Sequence, residues 1–200
     1  MNEAALGFRV KSGWAMVVLL SGASSPPRVI DRRRVELADP AVPESTQPFH
    51  AGLDLAKAAG AKVVARLVRC VERSSERAIA ELIKPYRAGG HRIVGAGIVV
   101  GSTVDPQSIR NDHIRAHAEE GRLFRVVIED ALKLSRLAFS VTREKDLMSK
   151  ATKALGISEG KLRADLTTMG KAVDGSWRAE EKAATLAAWM ELARRSRSRT

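Results

Sequence analysis

The chain has 200 residues with a formal net charge of +11, and 44% of them are hydrophobic while only 4% are aromatic. This content suffices for one sizeable core, and the scarcity of aromatic residues argues against a platform that stacks single-stranded bases. The excess of 34 Lys and Arg over 23 Asp and Glu favours polyanionic partners, because bound phosphates release their counterions.

The cysteine count and the hydropathy pattern indicate where the protein works. Cys70 is the single cysteine, which excludes an intramolecular disulfide and suits a reducing compartment. No segment reaches the roughly 18 consecutive apolar residues of a membrane span, and the first residues lack the basic flank of a signal peptide. We therefore expect a cytoplasmic protein with no membrane partner.

Residues 5–38 predict three strands. Phe8 and Val10 alternate with two cations, the pattern of a half-buried strand. A turn at Ser12-Gly13 and a loop over Ser21–Pro27 separate this strand from the next two. The second and third strand candidates are Trp14–Leu20 and Arg28–Leu37.

A long helix is predicted over residues 53–84, stopped by Pro85 and Gly89-Gly90. Five cations recur on the side opposite its apolar residues. This basic stripe consists of Lys62, Arg66, Arg69, Arg73 and Arg77. It is a candidate for contacts to phosphates. The alternative is a solvated helix face, in which Glu72 and Glu76 pair with neighbouring arginines.

The remaining chain alternates once more between strands and helices. Gly95 and Gly97 lie inside a strand rich in Ile and Val, so they favour close packing of a helix on the sheet over a nucleotide-binding turn. The predicted elements are a strand over His91–Val100, a helix over His113–Leu137, a strand over Leu137–Val141, and helices over 143–155, 158–169 and 178–195.

This order predicts an α/β domain over residues 1–142, with a mixed sheet flanked by helices, and a helical C-terminal segment over 143–200 packed on or beside it. A strand-helix-strand crossover requires parallel pairing, whereas the opening hairpins are antiparallel. The order β-β-β-α-β-α-β resembles the ribonuclease H-like fold. The Gly13-Trp14-Ala15 turn and the small, acidic helix over 179–188 resemble Holliday-junction resolvases of that fold.

The resemblance implies carboxylates that hold two metal ions, the first of them on the first strand. Residues 4–30, however, contain no Asp or Glu. We therefore expect a degenerate site and no catalysis, and we interpret Glu180 and Glu181 as a solvated helix start.

Residues 151–170 predict two helices joined by a sharp turn. Gly156 suits the turn, because it lacks a Cβ, and Ser158 is placed to cap the second helix. The spacing resembles the Fis-type helix-turn-helix. The resemblance implies that Lys161, Arg163 and Thr167 face duplex DNA. The alternative is an ordinary helical corner that closes the core.

Two other groups of residues are candidates for a metal site and a ligand site. His113 and His117 lie four apart on one helix face, but His50 and His91 are isolated in the sequence and two ligands hold a divalent ion poorly. No metal site is therefore predicted. Ser102–Asp105 follows the carboxyl end of a strand, where open sheets bind ligands.

Together these patterns predict a non-catalytic, cytoplasmic nucleic-acid-binding protein without a cofactor. Its partner would be duplex DNA, with nonspecific affinity added by the basic stripe or by the arginine-rich tail over 194–200. The expected contact residues are Lys161, Arg163, Thr167, Lys62, Arg66, Arg69 and Arg73. One alternative is a degenerate ribonuclease H-like scaffold for protein assembly, acting as a homodimer. Another is an enzyme with its site near Ser102–Asp105.

Overall fold

The computed structural model describes residues 2–22 and 25–197. Most of the arginine-rich tail, predicted to add affinity, lies outside the described side chains. The described strands are β1 (Asn2–Lys11), β2 (Trp14–Ser21), β3 (Arg28–Glu36), β4 (His91–Val100) and β5 (Phe139–Arg143). The described α-helices are α1 (Lys57–Ala88), α2 (Asp112–Leu134), α3 (Glu144–Leu155), α4 (Glu159–Lys171) and α5 (Ala179–Arg197). Short 3₁₀ turns occupy Pro43–Thr46, His50–Gly52 and Pro106–Ser108.

The five strands form one mixed sheet in the order β3-β2-β1-β4-β5. β2 is antiparallel to both β1 and β3, whereas β1, β4 and β5 are parallel. The strands β1, β3, β4 and β5 therefore point the same way, and their carboxyl ends share one edge of the sheet. The predicted α/β class and element order are confirmed.

Helices cover both faces of the sheet. On one face, α1 and α2 contribute buried residues such as Val71, Phe124 and Ile128 to a core shared with β1 and β4. On the other face, α5 lies against the centre of the sheet together with α3 and α4. Its approach is close: a Cβ on Gly97 would lie 2.6 Å from the carbonyl oxygen of Ala187. The prediction that this glycine serves helix packing is confirmed.

The half-buried pattern predicted for β1 is wrong. Every residue from 4 to 10 is buried, because β1 is central in the sheet and helices cover it on both sides. Arg9 is only 5% exposed. Its guanidinium donates to the carbonyl of Val10 and to the carboxylate of Glu144 at 2.5 Å, which makes burial of the charge tolerable.

Two boundaries of α1 differ from the prediction. The helix begins at Lys57 rather than 53, after the turn at His50–Gly52, and it continues through Pro85 to Ala88. A proline in the last turn removes one backbone donor but leaves the rest of the hydrogen-bond ladder intact. In the described part of the chain, no helix combines the length and apolar character needed to cross a membrane.

Candidate functional site

A cavity of about 750 Å³ opens at the carboxyl edge of the sheet. It is lined by the end of β1, the loop that follows β4 and the middle of α2, and Ser102–Asp105 forms part of its wall. Ligands of open α/β sheets usually bind at this edge. The cavity is therefore the first place to ask what chemistry the fold presents.

Cations outnumber carboxylates among the charged side chains that line the cavity. Among the described residues, its lining cations are Arg9, Lys11, Arg122 and Arg125, and its single lining carboxylate is Asp105. That carboxylate accepts the backbone N–H of Gln107 at 3.1 Å and so begins a 3₁₀ turn. Three of the cations pair with carboxylates outside the lining, whereas Arg122 is exposed and makes no ion pair with a described residue. Arg122 is therefore the lining cation that is available to an anion.

The two acidic residues at the start of α5 do not provide a metal site either. Glu180 Oε1 lies 3.2 Å from Lys11 Nζ, and a hydrogen bond from its own backbone N–H, together with the Lys11 ammonium, lowers the pKa of Glu180. Glu181 is only 2% exposed. It accepts the backbone N–H of Arg178 at 2.9 Å and pairs with Arg32.

The solvated helix start predicted for Glu181 is therefore wrong, because capping of α5 and an ion pair bury it. The carboxylates near this edge are committed to caps and ion pairs, while β1 ends in Arg9 and Lys11. These residues do not fit the pair of divalent ions that the resemblance implies.

The predicted turn between α3 and α4 is present. Gly156 adopts the left-handed conformation with a φ of 69°, and the Ser158 hydroxyl accepts the backbone N–H of Lys161 at 3.4 Å. The predicted apolar positions of α4 are buried against α5 and its neighbours. They are Leu162, Leu166 and Met169.

The three predicted DNA contacts on α4 all bond within their own helix. Lys161 Nζ lies 2.9 Å from Asp165 Oδ1, and Arg163 Nη2 lies 2.6 Å from Glu159 Oε1. The Thr167 hydroxyl donates to the carbonyl of Arg163 at 2.9 Å. A phosphate that approached either cation would compete with these carboxylates for it.

The basic stripe on α1 is arranged differently. All five members, Lys62, Arg66, Arg69, Arg73 and Arg77, are exposed, and none makes an ion pair with a described residue. The alternative pairing with Glu72 and Glu76 does not occur, since neither glutamate makes an ion pair in the described part of the chain. By contrast, Arg33 of the edge strand β3 lies 2.6 Å from Asp31.

Three histidines from two distant parts of the sequence meet beside the cavity. His50, in the 3₁₀ turn before α1, faces His113 and His117 on the first turns of α2, with ring centroids 4.2–4.7 Å apart. The prediction that His50 is isolated is wrong, because the turn at His50–Gly52 lies against α2. One feature of the sequence points to this cluster, because Glu120 follows His117 by one helical turn and contacts the rings of His50 and His117.

Comparisons with known proteins identify the fold. No protein-family model and no curated protein matches the sequence. The structure of RuvC from Thermus thermophilus is 7% identical, with a TM-score of 0.57, and the match covers 98% of this chain and 96% of that chain. A structure of T. thermophilus RuvC in complex with a Holliday junction substrate is 8% identical, with a TM-score of 0.59 and the same coverage.

The chain has the ribonuclease H-like fold. The resemblance inferred from element order is thereby confirmed, whereas the resemblance of residues 151–170 to a Fis-type helix-turn-helix is not. At these identities the likeness shows the ribonuclease H-like fold alone, so function must be argued from this chain's own residues.

Proposed function

We propose that this protein binds nucleic acid through its phosphate backbone, with the basic stripe of α1 as the principal contact. The observation that carries the proposal is the row of five exposed cations without ion-pair partners in the described part of the chain. At 1.5 Å per residue, Lys62 and Arg77 are about 22 Å apart along the helix. Such a row matches several consecutive phosphates of a duplex.

Pairing makes α1 the stronger candidate over α4. Lys161 and Arg163 are each paired with a carboxylate of their own helix. Exchanging that carboxylate for a phosphate contributes only the difference in free energy between the two ion pairs. The stripe cations exchange water and mobile counterions for phosphate, and counterion release then favours binding. Direct reading of bases by Lys161, Arg163 and Thr167 is thus the weaker part of the sequence interpretation.

The sheet edge offers a second contact. Arg122 is exposed in the cationic wall of the cavity, where a backbone phosphate fits better than a divalent ion. The fold adds support, since a protein with this fold has been solved with a Holliday junction substrate. We propose duplex DNA as the target, because the chain has few aromatic side chains on which single-stranded bases stack.

The experiment measures how the affinity for a short DNA duplex depends on salt between about 50 and 200 mM. The double variant Arg69→Gln with Arg73→Gln is compared with Lys161→Gln with Arg163→Gln, so both lose two positive charges. We expect the stripe variant to bind more weakly and to reduce the slope of log K against log salt by nearly 2, at about 0.9 per phosphate contact. The α4 variant should keep the wild-type slope.

Two results would contradict this assignment. If the α4 variant alone loses affinity and slope, α4 is the DNA-binding element and the stripe is a solvated face. If the wild-type protein shows no salt-dependent retention on duplex DNA and runs as a sharp dimer on a sizing column, the scaffold alternative replaces nucleic-acid binding.

A further inference from the structure

We propose that His50, His113 and His117 form a binding site for one divalent transition-metal ion of the zinc class. One ring nitrogen from each histidine lies within 4.8 Å of the other two. Zinc–nitrogen bonds of about 2.0–2.1 Å place tetrahedral nitrogen ligands roughly 3.4 Å apart. His113 and His117 are exposed, so small rotations of their rings suffice to close the set.

A buried carboxylate holds the cluster in a metal-binding form. Glu120 is fully buried, and its Oε1 lies 2.7 Å from Nδ1 of His50. A carboxylate accepts hydrogen bonds, so this contact places the His50 proton on Nδ1 and leaves the lone pair on Nε2. Carboxylates play this same part behind the metal-binding histidines of many zinc sites.

Two buried atoms of this cluster have no partner. His50 Nε2 and Glu120 Oε2 are both inaccessible to water and make no hydrogen bond within the described residues. A buried polar atom without a partner costs free energy. A metal bond to Nε2 removes that cost for His50. Because Glu120 Oε2 lies 3.8 Å from Nδ1 of His117, a small ring rotation there gives it a donor.

The ligand type selects the class of ion. Neutral imidazoles suit Zn²⁺, Co²⁺, Ni²⁺ and Cu²⁺, whereas Mg²⁺ and Ca²⁺ prefer oxygen ligands. Three histidines leave a fourth position, and the exposed sides of His113 and His117 leave it open to water. The site is distinct from the carboxylate site implied by the fold, although His117 also lines the cationic cavity.

An ion in this site would join two separate parts of the chain. His50 belongs to the turn at His50–Gly52, which packs on α1 and α2, and the other two ligands belong to α2. Because the unfolded chain does not preassemble the site, metal binding stabilises the folded state. Metal binding and thermal stability therefore give two linked readouts of the same proposal.

The experiment titrates tag-free, chelator-treated protein with ZnCl₂ and, separately, with CoCl₂. We expect one ion per chain, visible absorption from the cobalt form, and a thermal midpoint raised by about 5–10 °C at a hundredfold excess over Kd. The double variant His113→Gln with His117→Gln should lose zinc affinity by more than about 100-fold, which exceeds the usual effect of an outer carboxylate. Its metal-free midpoint should be unchanged, because both rings are exposed.

Two further variants distinguish a role of Glu120 in orienting the histidine ligands from a general loss of the folded structure. Glu120→Gln should weaken zinc binding by about 10–100-fold while the stoichiometry stays at one. His91→Gln, which removes the histidine outside the cluster, should bind zinc like the wild type. The proposal is overturned if the wild-type protein binds no zinc or cobalt, or if the double variant and the His91→Gln variant bind equally well.

Discussion

Glu191 is a carboxylate on α5 that is only 5% exposed. It accepts the hydroxyl of Ser140 at 2.5 Å and a guanidinium N–H of Arg194 at 3.1 Å. Burial raises the pKa of Glu191, although both of these contacts act to lower it. The folded chain therefore holds the Glu191 proton more tightly than the unfolded chain does, so its ionisation reduces stability as the pH rises above about 4.3, the unperturbed value.

Glu191→Gln should accordingly be more stable than the wild type at pH 7. The amide keeps an oxygen acceptor for Ser140 but carries no buried charge. The difference should disappear near pH 3, where the wild-type carboxyl is protonated in both states. Thermal midpoints measured across this pH range test the sign. A wild-type advantage that grows with pH would show that the Arg194 contact outweighs burial.

The residues of the candidate sites differ in how far the sequence predicts them. Helical spacing alone identifies the basic stripe of α1 and the pair His113 and His117, because both sets lie on one element. His50 joins that pair from 63 residues earlier, through a short turn that no periodicity marks. The pairing of Arg9 is equally hard to predict, since its partner Glu144 is 135 residues away in the sequence.

α5 packs its small residues against glycines of the central strands. A Cβ on Gly7 would lie 1.8 Å from the carbonyl oxygen of Ala184, a distance that no packing adjustment absorbs without moving the helix. Gly121, in the middle of α2, is the opposite case, because a Cβ there meets no atom within 4 Å. The two glycines thus form a matched pair for measuring this interface.

Gly7→Ala should destabilise the protein by at least about 3 kcal/mol, since the methyl group overpacks a rigid backbone contact. Gly121→Ala should raise stability by up to about 1 kcal/mol, because alanine is the better helix former. Chemical denaturation of both variants checks the pair. Similar stabilities for Gly7→Ala and the wild type would show that α5 does not approach the sheet this closely in solution.

Elements with a long periodic pattern were predicted correctly, whereas the burial of a strand by distant helices was not. The helical stretches were predicted from apolar spacing that repeats over many residues. β4 was predicted from a run rich in Ile and Val, which is typical of a strand buried on both faces. β1 was predicted as half-buried because Arg9 and Lys11 interrupt its apolar run. The covering of its second face by α5 depends on an element 170 residues later, which local pattern does not reveal.

Within the ribonuclease H-like fold of this protein, cations stand at the sheet edge where the resemblance implies metal-binding carboxylates. Cations line the cavity, Glu180 is paired with Lys11, and Glu181 is buried in the cap of α5. Two-metal cleavage requires carboxylates that hold cations on both the attacking and the leaving oxygen. We therefore expect this edge to bind a phosphate through Arg122 without supplying the carboxylates that two metal ions require.

We therefore predict that the purified protein binds duplex or junction DNA without cutting it in Mg²⁺ or Mn²⁺. Glu180→Gln and Asp105→Asn should leave this result unchanged, because neither carboxylate faces another across the cavity as a metal ligand. Incubation of labelled four-way junctions with each protein, beside a junction-cleaving enzyme of the same fold, provides the measurement. Metal-dependent cleavage that either substitution abolishes would mean that the edge rearranges on binding DNA, with the cations turning outward and the carboxylates converging. Retained binding with no product, in the wild type and both variants alike, would confirm that the protein binds these substrates without cleaving them.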